Sequence, residues 1–196
     1  MTCVVGFLDK ESKTVYLGAD SLGSNGFTKA VYQQKKVFHS KDTKELIIGL
    51  CGRFNFQALE YENLLDEATL LKDGITREYL ITQFIPRLKE LVVKYNSNIN
   101  SEGINYMDGD LLFGYKDKMF KIQGDYSLLE VTDNYDSVGS GEYFALGSLF
   151  TTENTDMKPI ERIHKSLQSA SKFNVGVSAP YYIINTKNDE VIEFKE

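Results

Sequence analysis

The residue types best suited to chemistry in this chain are Thr2, Asp20, Lys36 and Ser140. Thr2 follows a methionine, and loss of Met1 would leave a hydroxyl nucleophile and a free α-amine on one residue. That amine, with an ordinary pKa of roughly 7.7–8.0, suits the role of the base that takes the hydroxyl's proton. Threonine after methionine also has a plainer meaning, since a small residue simply favours methionine removal. Other catalytic patterns fit worse. Gly139-Ser140-Gly141 is not a nucleophile elbow, because Val138 and Glu142 stand where that motif needs glycines. His39 and His164 have no companions at ligand spacing, and there is no Walker or dinucleotide glycine loop. No metal or cofactor is expected.

The elements that must carry these residues can be read from the apolar pattern. Residues 2–9 and 14–20 are strand-like and joined by Lys10-Glu11-Ser12-Lys13; residues 35–40 and 45–51 are joined by Lys41-Asp42-Thr43-Lys44. Both pairs predict hairpins. A Leu-, Ala- and Glu-rich helix is expected over 55–71, and a second over 77–95 with Ile81, Phe84, Leu88, Leu91, Val92 and Tyr95 on its inner face. Pro86 predicts a kink in that helix, and Tyr79 and Leu80 are expected to lie outside its core stripe. The polar stretch 96–108 reads as a long functional loop or insertion. Further strands are expected at 110–115, 119–123, 128–132 and 136–139, then a helix over 141–150 and another opened by Pro159 with Ile160, Ile163, Leu167 and Ala170 as its stripe. The segments 181–186 and 190–194 read as a last hairpin around Asn188-Asp189. This order of elements predicts an α+β fold, two antiparallel sheets with helices outside, in one domain over residues 1–196.

Antiparallel pairing turns these hairpins into distance information. A first turn centred near Glu11 sets Thr2 opposite Asp20, and a second centred between Asp42 and Thr43 sets Lys36 opposite Gly49. Polar groups at the ends of apolar strands then gather at one edge, where a lysine lowers the pKa of a neighbouring amine or hydroxyl.

Composition sets the setting. A net charge of −6 gives no electrostatic footprint for nucleic acid or an anionic membrane. The two cysteines, Cys3 and Cys51, lie in apolar runs without a disulfide framework, and no signal-peptide pattern or membrane-length apolar run occurs. A cytoplasmic protein is expected.

The spacing of Thr2, Gly18-Ala19-Asp20, Lys36-Val37-Phe38, Ile48-Gly49-Leu50-Cys51-Gly52 and Val138-Gly139-Ser140-Gly141, followed by Tyr143-Phe144-Ala145-Leu146-Gly147, resembles proteasome β subunits and bacterial ATP-dependent proteasome-like peptidases. The resemblance runs nearly the whole length. It implies the four-layer αββα fold of N-terminal-nucleophile hydrolases, homo-oligomeric rings, a polypeptide substrate and an unfoldase ATPase as a further partner. By the same resemblance Thr2 is the nucleophile, Lys36 keeps its hydroxyl reactive, Asp20 holds Lys36, Gly49 offers its N–H to an oxyanion, Ser140 sits beside the amine and Cys51 floors a small apolar side-chain pocket. Asn174 stands where the family has an aspartate that positions the amine, so Asn174→Asp is expected to preserve or raise activity. Two other readings share the fold: an inactive structural ring subunit and an amide-bond transferase. Each residue also has a plainer role open to it. Asp20 would be a turn former, Ser140 a helix N-cap, Lys36 a solvated strand-end charge and Gly49 a glycine needed for close packing.

Overall fold

The computed structural model describes residues 1–24, 28–65 and 74–196. Its strands are, in chain order, β1 (Val4–Asp9), β2 (Thr14–Ala19), β3 (Leu22–Ser24), β4 (Lys29–Val31), β5 (Val37–His39), β6 (Leu46–Leu50), β7 (Asn98–Ser101), β8 (Ile104–Met107), β9 (Leu111–Tyr115), β10 (Lys118–Ile122), β11 (Leu128–Glu130), β12 (Tyr135–Val138), β13 (Tyr181–Asn185) and β14 (Ile192–Phe194). Two five-stranded sheets form from them, one in the order β12-β1-β2-β13-β14 and the other β11-β10-β9-β6-β5, and β3-β4 and β7-β8 are separate hairpins. Every pairing in both large sheets is antiparallel.

Strand alternation divides the apolar residues among three clusters. In β1 and the residue before it, Cys3, Val5 and Phe7 pack against the helices α2 (Glu142–Thr151) and α3 (Pro159–Phe173) through Ala145, Leu149, Ile163, Leu167 and Ala170. Val4, between them in sequence, belongs instead to a cluster shared by both sheets, with Leu17, Val37, Ile47, Leu112 and Met119. The outer face of the second sheet packs on a helical run, α1, made of Arg77–Tyr79, a π turn at Leu80–Phe84 and Ile85–Lys94. There Phe84, Phe113 and Phe120 stack with ring centroids 5.4 and 5.1 Å apart.

The expected disturbance at Pro86 takes the form of that π turn. Proline has no N–H to give and its ring crowds the carbonyl four residues back, so the preceding turn widens and the Ile85 N–H bonds to the Leu80 carbonyl. The wider turn changes the inward face: Leu80 is fully buried while Ile81 is 47 % exposed, the reverse of the sequence expectation. The helix expected over 55–71 is also corrected. A 3-10 helix, Phe54–Tyr61, ends at an extended Glu62, because the Asp42 carboxylate takes the Leu64 and Leu65 N–H groups at 2.7 and 2.9 Å and draws the chain out of helical geometry; the part of that expectation from residue 66 onward lies outside the described residues. The polar stretch 96–108 is not a loop but the β7-β8 hairpin. Glu102 and Gly103, both at positive φ, form its turn.

Both hairpin registers differ by one residue from the sequence expectation. Val4 pairs with Ala19, which sets Cys3 rather than Thr2 opposite Asp20, and Val37 pairs with Gly49, which sets Lys36 opposite Leu50. The first turn is a four-residue loop, folded over Asp9 by bonds from the Glu11 N–H and Ser12 hydroxyl, so its centre falls between residues. The second is centred on Thr43 itself, whose carbonyl accepts from Leu46.

Replacing Asp42 by alanine is expected to remove two charge-assisted bonds at once. A stability loss of about 1–3 kcal/mol in urea unfolding, with the β5-β6 hairpin retained, is the expected result.

Candidate active site

Asp20, directly after β2, is wholly buried. Its Oδ1 accepts from the Cys3 N–H at 2.9 Å and from Lys36 Nζ at 2.8 Å; its Oδ2 accepts from the Leu22 N–H at 3.0 Å and the Ser178 N–H at 3.4 Å. Lys36, just before β5, is only 6 % exposed and gives a second hydrogen to the Leu22 carbonyl at 2.8 Å. This is no solvated strand-end charge, and Asp20 does far more than shape a turn. Burial pulls the Lys36 pKa below the ordinary lysine value, with the Asp20 charge opposing. Two of the ammonium's hydrogens are used, and Lys36 lines a cleft of about 390 Å³ together with Met1, Thr2, Leu50, Cys51 and Gly52.

Thr2 is 4 % exposed and is strapped down by the turn that leads into α2. Its N–H donates to Ser140 Oγ at 3.2 Å, while its carbonyl accepts from the Gly141 N–H at 3.2 Å and the Ser140 hydroxyl at 3.3 Å. The approach is close enough to require Gly139, where φ is +99° and a Cβ would lie 2.4 Å from the Thr2 carbonyl oxygen. Gly141, not Ser140, is the N-cap of α2, and no side chain caps it. Thr2 Oγ1 donates to the Met1 carbonyl at 2.6 Å. With Met1 attached, the hydroxyl is engaged and the Thr2 nitrogen is an amide, which donates but takes no proton.

Asn174 ends α3 and turns away from Thr2. Its Nδ2 donates to the Ser140 carbonyl at 2.5 Å and its Oδ1 accepts from the Gly176 N–H at 2.8 Å. It therefore bears on the site through the Ser140 turn. Gly49 also departs from expectation. The Leu50 N–H bonds to the Lys36 carbonyl and the Cys51 N–H to that of Asp110, so strand alternation directs the Gly49 N–H along the sheet toward its partner Leu112, away from the cleft. Its close-packing role is evident instead: a Cβ there would lie 2.4 Å from Val4 Cγ1.

Cys51 does line the cleft, and its thiol accepts from the Asp110 N–H at 3.3 Å. Burial pushes its pKa up to about 11 and that of Cys3 up to about 12, so neither thiol is a competing nucleophile at neutral pH. Ser178 is the contributor that sequence reading missed. It bonds Asp20 through its backbone, which no side-chain pattern reveals.

No protein-family model matches the sequence, and no curated protein matches it. The structure, by contrast, is similar to several solved ones. Thiobacillus denitrificans BPH in complex with epoxomicin aligns with a TM-score of 0.71 at 14 % identity, over 94 % of this chain and 97 % of that one. HslV from Trypanosoma brucei aligns with 0.64 at 17 % identity over 94 % and 98 %. An Anbu (Gly-1) mutant from Hyphomicrobium sp. strain MC1 aligns with 0.69 at 17 % identity over 100 % and 87 %. The chain thus shares the α+β fold of these solved structures.

The Asn174 geometry gives Asn174→Asp a cost in stability, apart from the expectation drawn for its activity. A carboxylate oxygen would face the Ser140 carbonyl with no hydrogen between them. A stability loss of about 1–3 kcal/mol in urea unfolding is expected; an unchanged midpoint would remove Asn174 from its bracing role.

Proposed function

We propose that this chain is a threonine-type peptidase in which Met1 is removed and Thr2 becomes the nucleophile. One observation carries the reading. Thr2 shares its cleft with a buried lysine, fixed by a buried aspartate, while its nitrogen rests on Ser140 Oγ. Once Met1 leaves, Oγ1 loses its carbonyl acceptor and the nitrogen becomes an amine. The neutral amine takes the hydroxyl proton as Oγ1 adds to the carbonyl carbon of a peptide bond. On collapse the C–N bond breaks and the leaving nitrogen takes that proton back, giving an ester on Thr2. Water, deprotonated by the same amine, then releases the acyl group. Lys36 holds the hydroxyl oxygen reactive by its charge, and Asp20 holds Lys36.

The reading includes a single domain over residues 1–196, with the two sheets and outer helices as four layers; the three apolar clusters support that layering. It also includes a ring of identical subunits in the cytoplasm, with an unfoldase ATPase as a further partner. Support for subunit contact comes from Tyr143, Phe150, Phe173 and Val175, which are 66–83 % exposed on or just beyond the outer helices. Of Tyr79 and Leu80, which the sequence places outside the core stripe, Leu80 is core and Tyr79 is half-buried against it. Sedimentation at micromolar concentration is expected to show an oligomer, and a monomer would remove the ring.

A second reading is favoured by the Thr2 Oγ1 bond to the Met1 carbonyl: a chain that keeps Met1 is a structural subunit with its hydroxyl engaged. Intact mass separates the two. Protein lacking Met1 is expected to add epoxomicin covalently at Thr2; Thr2→Ala should add none and turn over nothing, and Thr2→Ser should retain partial activity. Unlabelled, inactive protein without Met1 would favour the structural subunit.

Lys36→Arg is expected to be nearly as inactive as Lys36→Ala, because the position takes a compact ammonium with two acceptors at 2.8 Å and not a planar guanidinium. The pH profile should be bell-shaped. Rate rises as the amine loses its proton and falls as Lys36 loses its own. Because burial lowers the Lys36 pKa, the alkaline fall should come before the ordinary lysine value of 10.5. Arginine retaining most of the rate would make Lys36 a bystander.

A further inference from the structure

Met1 is held in a place of its own. After α3, Asn174 folds the chain back by accepting from the Gly176 N–H through Oδ1 and from the Val177 N–H through its carbonyl, which buries Gly176 against the Met1 side chain. A Cβ on Gly176 would lie 2.2 Å from Met1 Cβ, 2.9 Å from Cγ and 2.7 Å from Sδ. The methionine therefore lies along bare backbone for most of its length. It also forms a wall of two clefts: the one of about 390 Å³ that contains Thr2 and Lys36, and one of about 510 Å³ lined by Ser24, Thr28, Asn174, Val175 and Ser178.

We infer that the notch over Gly176 is the subsite for the substrate residue on the leaving side of the cleaved bond, and that it selects an apolar side chain unbranched at Cβ. The inference rests on the peptidase reading and follows from its proton path. The leaving nitrogen takes its proton from the Thr2 nitrogen, so in direct transfer the two come within about 2.6–3.2 Å. Met1 is the group attached to that nitrogen. When it departs, the space beside the amine is the space its backbone held, and the leaving residue's side chain has the vacated notch before it. The acyl part of the substrate then occupies the cleft on the Lys36 and Cys51 side, and the two clefts become one groove with Thr2 between them. A side chain like methionine or leucine regains the apolar contact along Gly176. Glycine forgoes it, and isoleucine or valine brings an extra carbon at Cβ, where the notch is tightest.

The test uses protein that lacks Met1 and a peptide series identical except for the residue after the cleaved bond, which is Met, Leu, Gly or Ile, with cleavage positions read by mass spectrometry. Met and Leu are expected to exceed Gly and Ile in kcat/KM by about tenfold or more. Gly176→Ala is expected to bring the Met-to-Gly ratio to about one while epoxomicin still adds to Thr2, which shows the nucleophile intact. Equal rates across the series in protein that labels and cleaves would overturn the subsite and leave the peptidase reading standing. So would an unchanged ratio in labelled Gly176→Ala protein. Absence of both labelling and cleavage would overturn the peptidase reading, and this inference with it.

Discussion

The ion pair between Lys36 and Asp20 is the contact on which the arrangement depends. Asp20 leaves the end of β2 in the first sheet and Lys36 enters β5 in the second, so the pair clips the two sheets together at the edge where Thr2 lies. Two charges at 6 % and 0 % exposure are costly to desolvate, and burial alone seldom repays that. Here the cost is offset by complete use of the carboxylate, which takes four donors from four segments: the residue before β1, the start of β3, the residue before β5 and the chain before β13. Loss of either partner would leave the other charge buried alone, commonly a cost of about 3–5 kcal/mol. An apolar pair would hold the sheets as well, so the charged pair points to a need for an ammonium at that spot.

Thr2 shares a cleft with that ammonium because of how closely the sheets meet. Its side chain shares the face of Val4, the face between the sheets, one alternation closer to the edge. Val4 in turn rests on Gly49, where a side chain would collide at 2.4 Å. Gly49 thus contributes through packing: any larger residue would push β1 outward and carry Thr2 away from Lys36. Gly139 plays the same part from the other side, letting the turn before α2 close on the Thr2 carbonyl. Backbone proximity, more than side-chain reach, sets the position of Thr2.

Sequence made the strand set legible, because period-two apolar runs with charged turns are strong signals, and it brought Thr2, Asp20, Lys36 and Ser140 to one place. Parity was beyond it. Whether a turn is centred on a residue or between two is decided by local bonds such as those of Asp9, and a shift of one residue set Cys3 rather than Thr2 opposite Asp20. The β7-β8 hairpin was hidden for a different reason: its exposed strands, with Asn98 and Asn100 both donating to Asn105, carry loop-like composition. The 3-10 helix at Phe54–Tyr61 ended early because of Asp42, which bonds Leu64 and Leu65, 22 and 23 residues on in sequence. The Asn174 and Ser178 bonds to the site are likewise set by where the chain passes after α3.

The Met1-Thr2 peptide unit is internally satisfied: its N–H is taken by Ser140 and its carbonyl by the Thr2 hydroxyl. That satisfaction explains how a strand can begin beside a buried ammonium without strain while it is still uncharged. In the proposed mature form the amide is exchanged for an amine in the same position, and Ser140 Oγ can accept from it as before. What changes is the electrostatics. An ammonium at Thr2 would sit in one cleft with the Lys36 ammonium, and like charges at short range in a buried site disfavour the protonated form of the weaker base. Asp20 is committed to Lys36 and three backbone donors, so it gives the new amine no direct partner to reverse that effect. In the proposed form, the buried charge that holds the sheet edge together is thus also the charge that the terminal amine meets.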